Sequence, residues 1–287
     1  MTNERYIIQL GSGGLHYNGF RASAIEGNLM FQWGQADSTS DGAQSFSFQR
    51  AFASRCYALL TTCSRGDVRS AMPFTSRTAS GFTLDRDSEI DGHYPFYWFA
   101  VGDAPGSAQA DPRSATLGGD TTMLWGDAVS TSDGDQHFTT PVALGAGPSA
   151  ALVTVAEANV RSALSITNFD GAGRKLSLNR HNDINGSIDF NYVAVGSRTG
   201  NQSTGVKQLG ECKLQWGQGI TDSDHEQLFE LNQSFEDMDF AVFTTLAAGN
   251  FKQGLSLTRP VNPRSFIVDR DGSIDGARAF NWLAIGR

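Results

Sequence analysis

Short stretches in which apolar and polar residues alternate dominate the chain. In residues 29–33 the odd positions are apolar and Gln32 points the other way, as in a half-buried strand. Residues 213–216 carry a weaker version of this alternation. Turn signals rich in Asp, Ser and Gly separate such stretches about every ten residues, and no segment combines helical periodicity with helix caps. The pattern therefore predicts short β-strands joined by tight turns.

The sequence repeats the same order of landmarks three times. Each copy opens with a Trp-Gly pair and closes with an aromatic residue, a spacer, Ala, a spacer and Gly. The landmarks are Trp33, Trp125 and Trp216 at the openings, and Trp98, Tyr192 and Trp282 at the closings. A period near ninety residues is too long for a solenoid repeat and long enough for a small domain. We therefore predict three tandem copies of one domain, with the aromatic landmarks in their cores rather than at sugar platforms.

The repeat divides the chain into six segments. Copies 1, 2 and 3 are residues 28–102, 120–196 and 211–286. Residues 103–119 and 197–210 are polar, contain glycine and are predicted to be linkers. Residues 1–27 lie outside the repeat, and we expect them to dock onto copy 1 or to attach the protein to another molecule.

Two Asp-Gly pairs follow the first strand of copies 1 and 2. They are Asp41-Gly42 and Asp133-Gly134. Asp-Gly between alternating segments is a strong signal for a type I′ turn, because both central residues need positive φ. A β-hairpin is therefore predicted at each of these pairs.

Composition narrows the classes of partner. Charged residues make up 18% of the chain and the formal net charge is −8, so a basic face for nucleic acid is not expected. A neutral sugar remains compatible with this charge. The three cysteines predict neither a disulfide framework nor a zinc site. The polar start and the lack of a long apolar run predict synthesis in a cytoplasm without a classical export signal, and no membrane insertion.

One turn keeps the same shape in all three copies. It has Asp or Asn before an arginine, and Ile, Asp or Asn, and Gly four to six positions after the arginine. The candidate ligand-binding residues are Arg86 and Asp87, Arg180 and His181, and Arg270 and Asp271. A guanidinium presents a fork of donors that suits sugar hydroxyls or carboxylates. The alternative interpretation is a hairpin whose arginine bonds a neighbouring carbonyl or carboxylate.

Neither a metal site nor catalysis is predicted. Residues 269–275 place oxygens at alternate positions, as a calcium loop does, but copy 2 loses most of that charge in residues 179–185. No bidentate glutamate follows at the required distance. Carboxylate pairs such as Asp85 and Asp87 do not recur in all copies, as a glycosidase pair should. We therefore expect a non-catalytic protein without cofactor or metal.

The repeated motifs resemble the C-terminal domain of bacteriophage tail-fibre proteins. The resemblance rests on the opening apolar-x-Trp-Gly and the closing aromatic-x-Ala-x-Gly, and it covers residues 28–102, 120–196 and 211–286. That domain is similar to the H-type lectins, six-stranded antiparallel β-sandwiches that assemble as trimers and bind sugars. The resemblance therefore implies an all-β chain of three tandem six-stranded sandwiches. Tail-fibre proteins usually carry one such domain behind a long shaft, whereas this sequence has three and no shaft.

The resemblance also implies a function and a location. It predicts a virion protein of the tail or fibre that binds host-surface glycan or receptor through loops of the sandwiches. One alternative is a structural tail component that binds other virion proteins, and another is a cellular H-type lectin.

Two assemblies remain open. In the first, the three copies of one chain close a pseudo-threefold ring. In the second, three chains form a homotrimer with three stacked tiers.

Overall fold

The computed structural model describes the chain in thirteen stretches, all of whose regular elements are β-strands. The described residues are 4–7, 18–26, 28–55, 57–64, 72–86, 92–107, 113–157, 164–180, 186–199, 203–222, 225–247, 255–270 and 276–287. Within them every strand pair is antiparallel, which confirms the all-β prediction. They contain no helix with the length and apolar character needed to cross a membrane.

Copy 1 contributes two antiparallel sheets together with the residues before it. The strands are β1 (Glu4–Ile7), β2 (Asn18–Glu26), β3 (Leu29–Ser38), β4 (Gln44–Ser47), β5 (Ala58–Cys63), β6 (Phe74–Thr78), β7 (Gly81–Leu84) and β8 (Tyr94–Asp103). A large sheet has the order β1-β2-β3-β8-β5, and a small sheet has the order β4-β7-β6.

Copies 2 and 3 repeat this arrangement. In copy 2 the strands are β9 (Ser114–Thr116), β10 (Thr121–Ser130), β11 (Gly134–Thr139), β12 (Ser149–Val155), β13 (Ser165–Asp170), β14 (Lys175–Arg180) and β15 (Ile188–Ser197). In copy 3 they are β16 (Thr204–Leu209), β17 (Cys212–Thr221), β18 (Gln227–Glu230), β19 (Ala241–Leu246), β20 (Leu255–Asn262), β21 (Ser265–Arg270) and β22 (Arg278–Gly286). The large sheets are β12-β15-β10-β9 and β16-β17-β22-β19, and the small sheets are β11-β14-β13 and β18-β21-β20.

Each large sheet gains a strand before the opening motif that the repeat pattern did not predict. β2, β9 and β16 lie before the opening Trp-Gly pair, in segments interpreted as an N-terminal segment and as linkers. Each pairs with the first strand of its copy, β3, β10 or β17. The predicted six strands per copy therefore become seven when this preceding strand is counted.

The Asp-Gly turns join two sheets instead of forming hairpins. β3 belongs to the large sheet of copy 1 and β4 to its small sheet, and β10 and β11 are separated in the same way in copy 2. Gly134 has the positive φ of 78° that a tight turn requires of it. The hairpin prediction was wrong because the turn chemistry is local, whereas the sheet that the next strand joins depends on packing across the whole copy.

The central strands of the large sheets are buried on both faces. In β8 every residue from Phe96 to Asp103 is buried. Gln32, predicted to point away from an apolar face, is also fully buried. Its side chain donates to the Arg50 carbonyl at 2.7 Å and accepts from the Arg50 N–H at 3.1 Å. Burial on both faces explains why these strands are nearly continuous apolar runs rather than strict alternations.

One face of each large sheet contributes to a single core shared by the three copies. Positions that are equivalent in strand register supply one residue from each copy. They include Phe31, Met123 and Leu214; Trp33, Trp125 and Trp216; Ala58, Ala150 and Ala241; Leu60, Leu152 and Phe243; and Phe99, Val193 and Leu283. The rings of Phe99 in copy 1 and Phe243 in copy 3 lie 5.8 Å apart. We refer to this cluster as the shared core.

The copies contact one another in a cyclic order. β5 of copy 1 contacts β15 of copy 2, β12 of copy 2 contacts β22 of copy 3, and β19 of copy 3 contacts β8 of copy 1. We call these contacts junctions 1/2, 2/3 and 3/1. In each junction, an edge strand of one large sheet packs against the next sheet.

Side chains of the next copy pair with the backbone of these edge strands. The Thr61 N–H of β5 donates to Thr154 Oγ1 at 3.1 Å across junction 1/2. The Val153 N–H of β12 donates to Thr245 Oγ1 at 3.1 Å across junction 2/3. An unpaired edge N–H that is buried costs about 1–3 kcal/mol. The threonines remove that cost and also blunt the edge against pairing with other chains.

A cavity in the shared core should destabilise the protein strongly. Leu152 is 1% exposed in that core. Leu152→Ala should lower the free energy of unfolding by about 2–5 kcal/mol, because the cavity left behind is only partly filled by relaxation. Leu228→Ala is the matched control, since Leu228 is 58% exposed. Urea denaturation followed by tryptophan fluorescence measures both, and equal stability of the two variants would contradict the shared core.

Candidate functional site

The three arginines of the repeated turn are buried. Arg86, Arg180 and Arg270 are 1%, 3% and 3% exposed. Each donates to the carbonyl of the glycine six positions later. The bonds join Arg86 Nη2 to Gly92, Arg180 Nη1 to Gly186 at 2.6 Å, and Arg270 Nη1 to Gly276 at 2.5 Å. These glycines have positive φ, which lets the chain turn sharply back towards the arginine.

Two of these arginines also hold the neighbouring connection between the sheets. Arg86 Nε donates to the Ser40 carbonyl at 2.6 Å. Arg180 Nη1 donates to the Ser130 carbonyl at 3.3 Å, and its Nε lies 3.2 Å from Asp133 Oδ1. Because β7 and β8 lie in different sheets, the turn after Arg86 is a crossing between sheets and not the hairpin considered above. The guanidinium therefore ties two crossings together at one end of the sheets.

The predicted ligand contact at this turn stays a prediction. Asp87, His181 and Asp271 lie outside the described residues, as do the remaining candidate oxygens at 87–91, 181–185 and 271–275. In the part of the chain that the structure describes, no group of His, Cys, Asp and Glu side chains is arranged to hold a metal ion. The described geometry assigns the arginines a structural bonding role.

A second repeated polar residue escaped the sequence analysis. Gln44, Gln136 and Gln227 each accept, through Oε1, the N–H of the residue five positions earlier. The distances are 3.0 Å to Thr39 N, 3.0 Å to Thr131 N and 2.9 Å to Asp222 N. The sequence could have revealed them, because these glutamines recur at the same spacing as the opening tryptophans. They fix the crossing from the large to the small sheet in all three copies.

The aromatic landmarks are packing residues in the described structure. Trp33, Trp125 and Trp216 are at most 1% exposed in the shared core, Trp98 and Trp282 are also buried, and Tyr192 is half-buried. The glycine after each opening tryptophan faces the closing aromatic on the neighbouring strand. A Cβ at Gly126 would lie 2.8 Å from the Tyr192 hydroxyl oxygen, and one at Gly217 would lie 2.9 Å from Trp282 Cζ2. The glycine of the Trp-Gly motif therefore leaves room for the closing aromatic side chain.

A polar cleft of about 550 Å³ opens at junction 1/2. Copy 1 lines it through residues 74–77 and Arg55, and copy 2 lines it through residues 127–129 and 189–191. Arg113, which directly precedes β9, and Ala156 complete the lining. None of these residues was a candidate in the sequence analysis. A search for recurring positions passes over them, because among the described residues the charged pair across this cleft occurs at one junction.

Four side chains in the cleft form one hydrogen-bonded network. Arg77 Nη2 donates to Asp127 Oδ1 at 2.6 Å, and Arg113 Nη1 donates to Asp127 Oδ2 at 2.7 Å. The fourth member is Asn191, whose Nδ2 donates to Asp127 Oδ1 at 2.9 Å and whose Oδ1 accepts from Arg77 Nη1 at 3.0 Å. Arg77 also donates to the Tyr57 carbonyl. The network spans both copies and holds Arg77 in one orientation.

The network keeps Asp127 ionised. Burial alone would raise the pKa of Asp127, but the hydrogen bonds and positive charges of Arg113 and Arg77 outweigh burial and lower that pKa. The Asp127 side chain is still 39% exposed, whereas Arg77 is 19% and Arg113 28% exposed. The cleft therefore presents an ionised, hydrogen-bonded carboxylate to solvent beside two arginines. Val129, 44% exposed, adds an apolar wall.

The fold and this cleft define an all-β protein whose polar cleft lies between two repeated units. Residues 24–103 match the family model described as "Putative tail fiber protein gp53-like, C-terminal". The matched stretch covers copy 1 and the last three residues of β2, 80 of the 287 residues. The match supports a phage tail-fibre-like protein and a place in the virion tail. Among curated proteins, no match to this chain was found.

Loss of one of the buried arginines that bond the connections between the sheets should destabilise the protein. Arg180→Met should lower the free energy of unfolding by about 1–3 kcal/mol, because the carbonyls of Gly186 and Ser130 lose their donor. Lys175→Met at the opposite end of β14 is the control, since Lys175 is exposed and should change stability by less than about 0.5 kcal/mol. Chemical denaturation of both variants tests this. A similar loss in both would show that Arg180 has no special role.

Proposed function

We propose that this chain is a non-catalytic receptor-binding protein of a phage tail, and that it binds host-surface carbohydrate. The observation that carries the proposal is the cleft at junction 1/2, where an exposed carboxylate, two arginines and an apolar wall lie together. The match of residues 24–103 to a tail-fibre family supports the virion context.

Each copy is proposed to be a β-sandwich domain. In copy 1, Met30, Leu59 and Trp98 of the large sheet share a buried cluster with Phe74 and Phe82 of the small sheet. In copy 2, Leu124 and Ala194 share a cluster with Ile166 and Leu178 in the same way. Apolar residues from two sheets that interdigitate in one core are typical of a sandwich. This arrangement supports the H-type lectin-like architecture that the sequence resemblance implies.

The three sandwiches are proposed to close a pseudo-threefold ring within one chain. The cyclic order of junctions 1/2, 2/3 and 3/1 and the shared core support this assembly over stacked tiers of a homotrimer. In the tiered assembly each copy would pack against its own counterpart on other chains. Here the equivalent faces of the three copies already cover one another.

The chemistry of the cleft suits a sugar. The Asp127 carboxylate accepts hydrogen bonds from hydroxyl groups, and the Arg113 guanidinium is a donor. Charge-assisted hydrogen bonds of this kind are shorter and stronger than neutral ones. Val129 and Ala128 offer apolar contact to the C–H face of a sugar ring. A volume of about 550 Å³ lies within the range usual for small-ligand sites.

The single-chain ring predicts a monomer in solution. Static light scattering should give the mass of one chain, 30.9 kDa, across a range of protein concentrations, because no copy leaves its junction face open. A stable species of about three chains at all concentrations would favour the homotrimer instead.

Carbohydrate binding predicts glycan-dependent attachment. The purified protein should bind a subset of bacterial surface polysaccharides on a glycan array, and periodate oxidation of those polysaccharides should abolish binding. Asp127→Ala should remove binding, whereas the control Glu230→Gln should retain it, since Glu230 is exposed on β18 and outside the cleft. If the protein binds no glycan but binds other virion proteins, the structural tail component is the better interpretation. A gene outside any phage genome would favour the cellular lectin.

A further inference from the structure

We infer that the chain carries one saccharide site of this kind rather than three, and that the site selects a saccharide bearing an acidic group. The inference rests on the proposed carbohydrate binding and adds to it the number of sites and the charge of the ligand. Three observations carry it: the strand register at the three junctions, the network around Asp127, and the excess of arginine in the cleft.

Strand register identifies the residues that are equivalent to Asp127 and Asn191. Asp127 of β10 faces Asn191 of β15. The corresponding pairs are Gln35 facing Tyr97 in copy 1, and Gln218 facing Asn281 in copy 3. Among these three pairs, a carboxylate therefore occurs in copy 2 alone.

Strand register in the small sheets identifies the residues that are equivalent to Arg77. Arg77 of β6 faces Phe82. Phe169 of β13 faces Leu176 in copy 2, and Pro260 of β20 faces Phe266 in copy 3. The guanidinium of Arg77 is therefore replaced by a phenyl ring and by a pyrrolidine ring at the equivalent positions.

The charged pair cannot be rebuilt at the other two junctions. Junction 2/3 combines Phe169 with Gln218 and Asn281, and there β13 contacts β19. Junction 3/1 combines Pro260 with Gln35 and Tyr97, and there β20 contacts β5. Neither set contains an ionic group. Among the described residues, a ligand that needs the Arg77–Asp127 pair therefore has a single place to bind.

The network prepares junction 1/2 for a ligand. Arg77 is fixed by Asp127, Asn191 and the Tyr57 carbonyl, and its guanidinium lies 5.6 Å from the centre of the Phe74 ring. A side chain that is already held in place loses little conformational entropy when it binds. Because Arg77 and Arg113 balance the charge of Asp127, the other charged groups of the cleft determine which ligands it favours.

The remaining charge is positive. The cleft contains three arginines, Arg55, Arg77 and Arg113, and two aspartates, Asp127 and Asp189. Arg55 is exposed, and its side chain forms no hydrogen bond or ion pair with the described residues. In a chain of formal net charge −8, this local excess of positive charge favours an acidic group on the ligand. Carboxylates and phosphates both suit a guanidinium, because its planar fork binds two oxygens at once.

The ligand test compares three monosaccharides that differ in charge. Isothermal titration of the full chain uses galactose, galacturonic acid and galactose 6-phosphate. We expect one binding site per chain, and affinity for at least one acidic sugar about tenfold higher than for galactose, the ratio that corresponds to one added charge-assisted contact. A preference for galacturonic acid identifies a carboxylate ligand, and a preference for the phosphate identifies a phosphorylated one.

A pair of arginine variants locates the acidic group. Arg55→Gln should lower affinity for the acidic sugar about tenfold to the level of galactose while leaving galactose binding unchanged. Arg50→Gln is the matched control, because Arg50 is also exposed in copy 1 but lies outside the cleft. Thermal unfolding of both variants checks that neither has lost its fold.

Distinct outcomes separate the inference from the proposed function. Equal affinity for galactose and the acidic sugars, a stoichiometry of three, or normal binding by Arg55→Gln would overturn the inference while carbohydrate binding stands. If none of the three sugars binds while polysaccharide binding on the array is intact, the carbohydrate site lies outside the cleft and the inference is wrong. Failure of both would remove the proposed function as well.

Discussion

The burial of each large sheet on both faces is the constraint on which the rest of the structure depends. One face of the large sheet packs with the small sheet of its own copy, and the other face enters the shared core. A single copy without neighbours would expose the second face, including Trp33, Phe31 and Phe99 or their equivalents. An apolar surface of that kind is rarely left exposed on a soluble monomer. The three copies therefore associate because each one removes an apolar sheet face of its neighbours from water, and not only because one chain connects them.

The same constraint explains where the copies are free to differ. Positions in the shared core stay apolar in all three copies, although their size varies, as Leu60, Leu152 and Phe243 show. Positions at the rim of each junction touch solvent and vary in charge, as Asp127 and Gln218 do. In a homotrimer any such change would appear at three junctions at once. Three copies within one chain can change a single junction, and junction 1/2 shows the result.

Much of the fold could be predicted from the sequence, but the cleft could not. The periodicity and turn signals predicted an all-β chain, and the spacing of the Trp-Gly pairs located the repeated strands. Strands β2, β9 and β16 were missed because they precede the repeated motif. The turns at Asp41-Gly42 and Asp133-Gly134 were wrongly predicted to be hairpins, because local turn chemistry does not specify which sheet receives the next strand. The cleft depends on pairing between residues such as Arg77 and Asp127, fifty positions apart, and a search for recurring residues excludes them by construction.

Chain connectivity favours the contact between copy 3 and copy 1. Junctions 1/2 and 2/3 join neighbours in sequence, whereas junction 3/1 brings β19 and β20 back to β8 and β5 near the start of the chain. The entropic cost of closing a loop grows only with the logarithm of its length, by about 0.6 kcal/mol for each doubling. Association of separate chains instead costs about 4–15 kcal/mol of translational and rotational freedom at the standard state. Covalent linkage therefore makes the third junction cheaper to form than it would be between free copies, and it also fixes which copies meet. That fixed order places Arg77 of copy 1 opposite Asp127 of copy 2, so the charged cleft is a direct consequence of the connectivity.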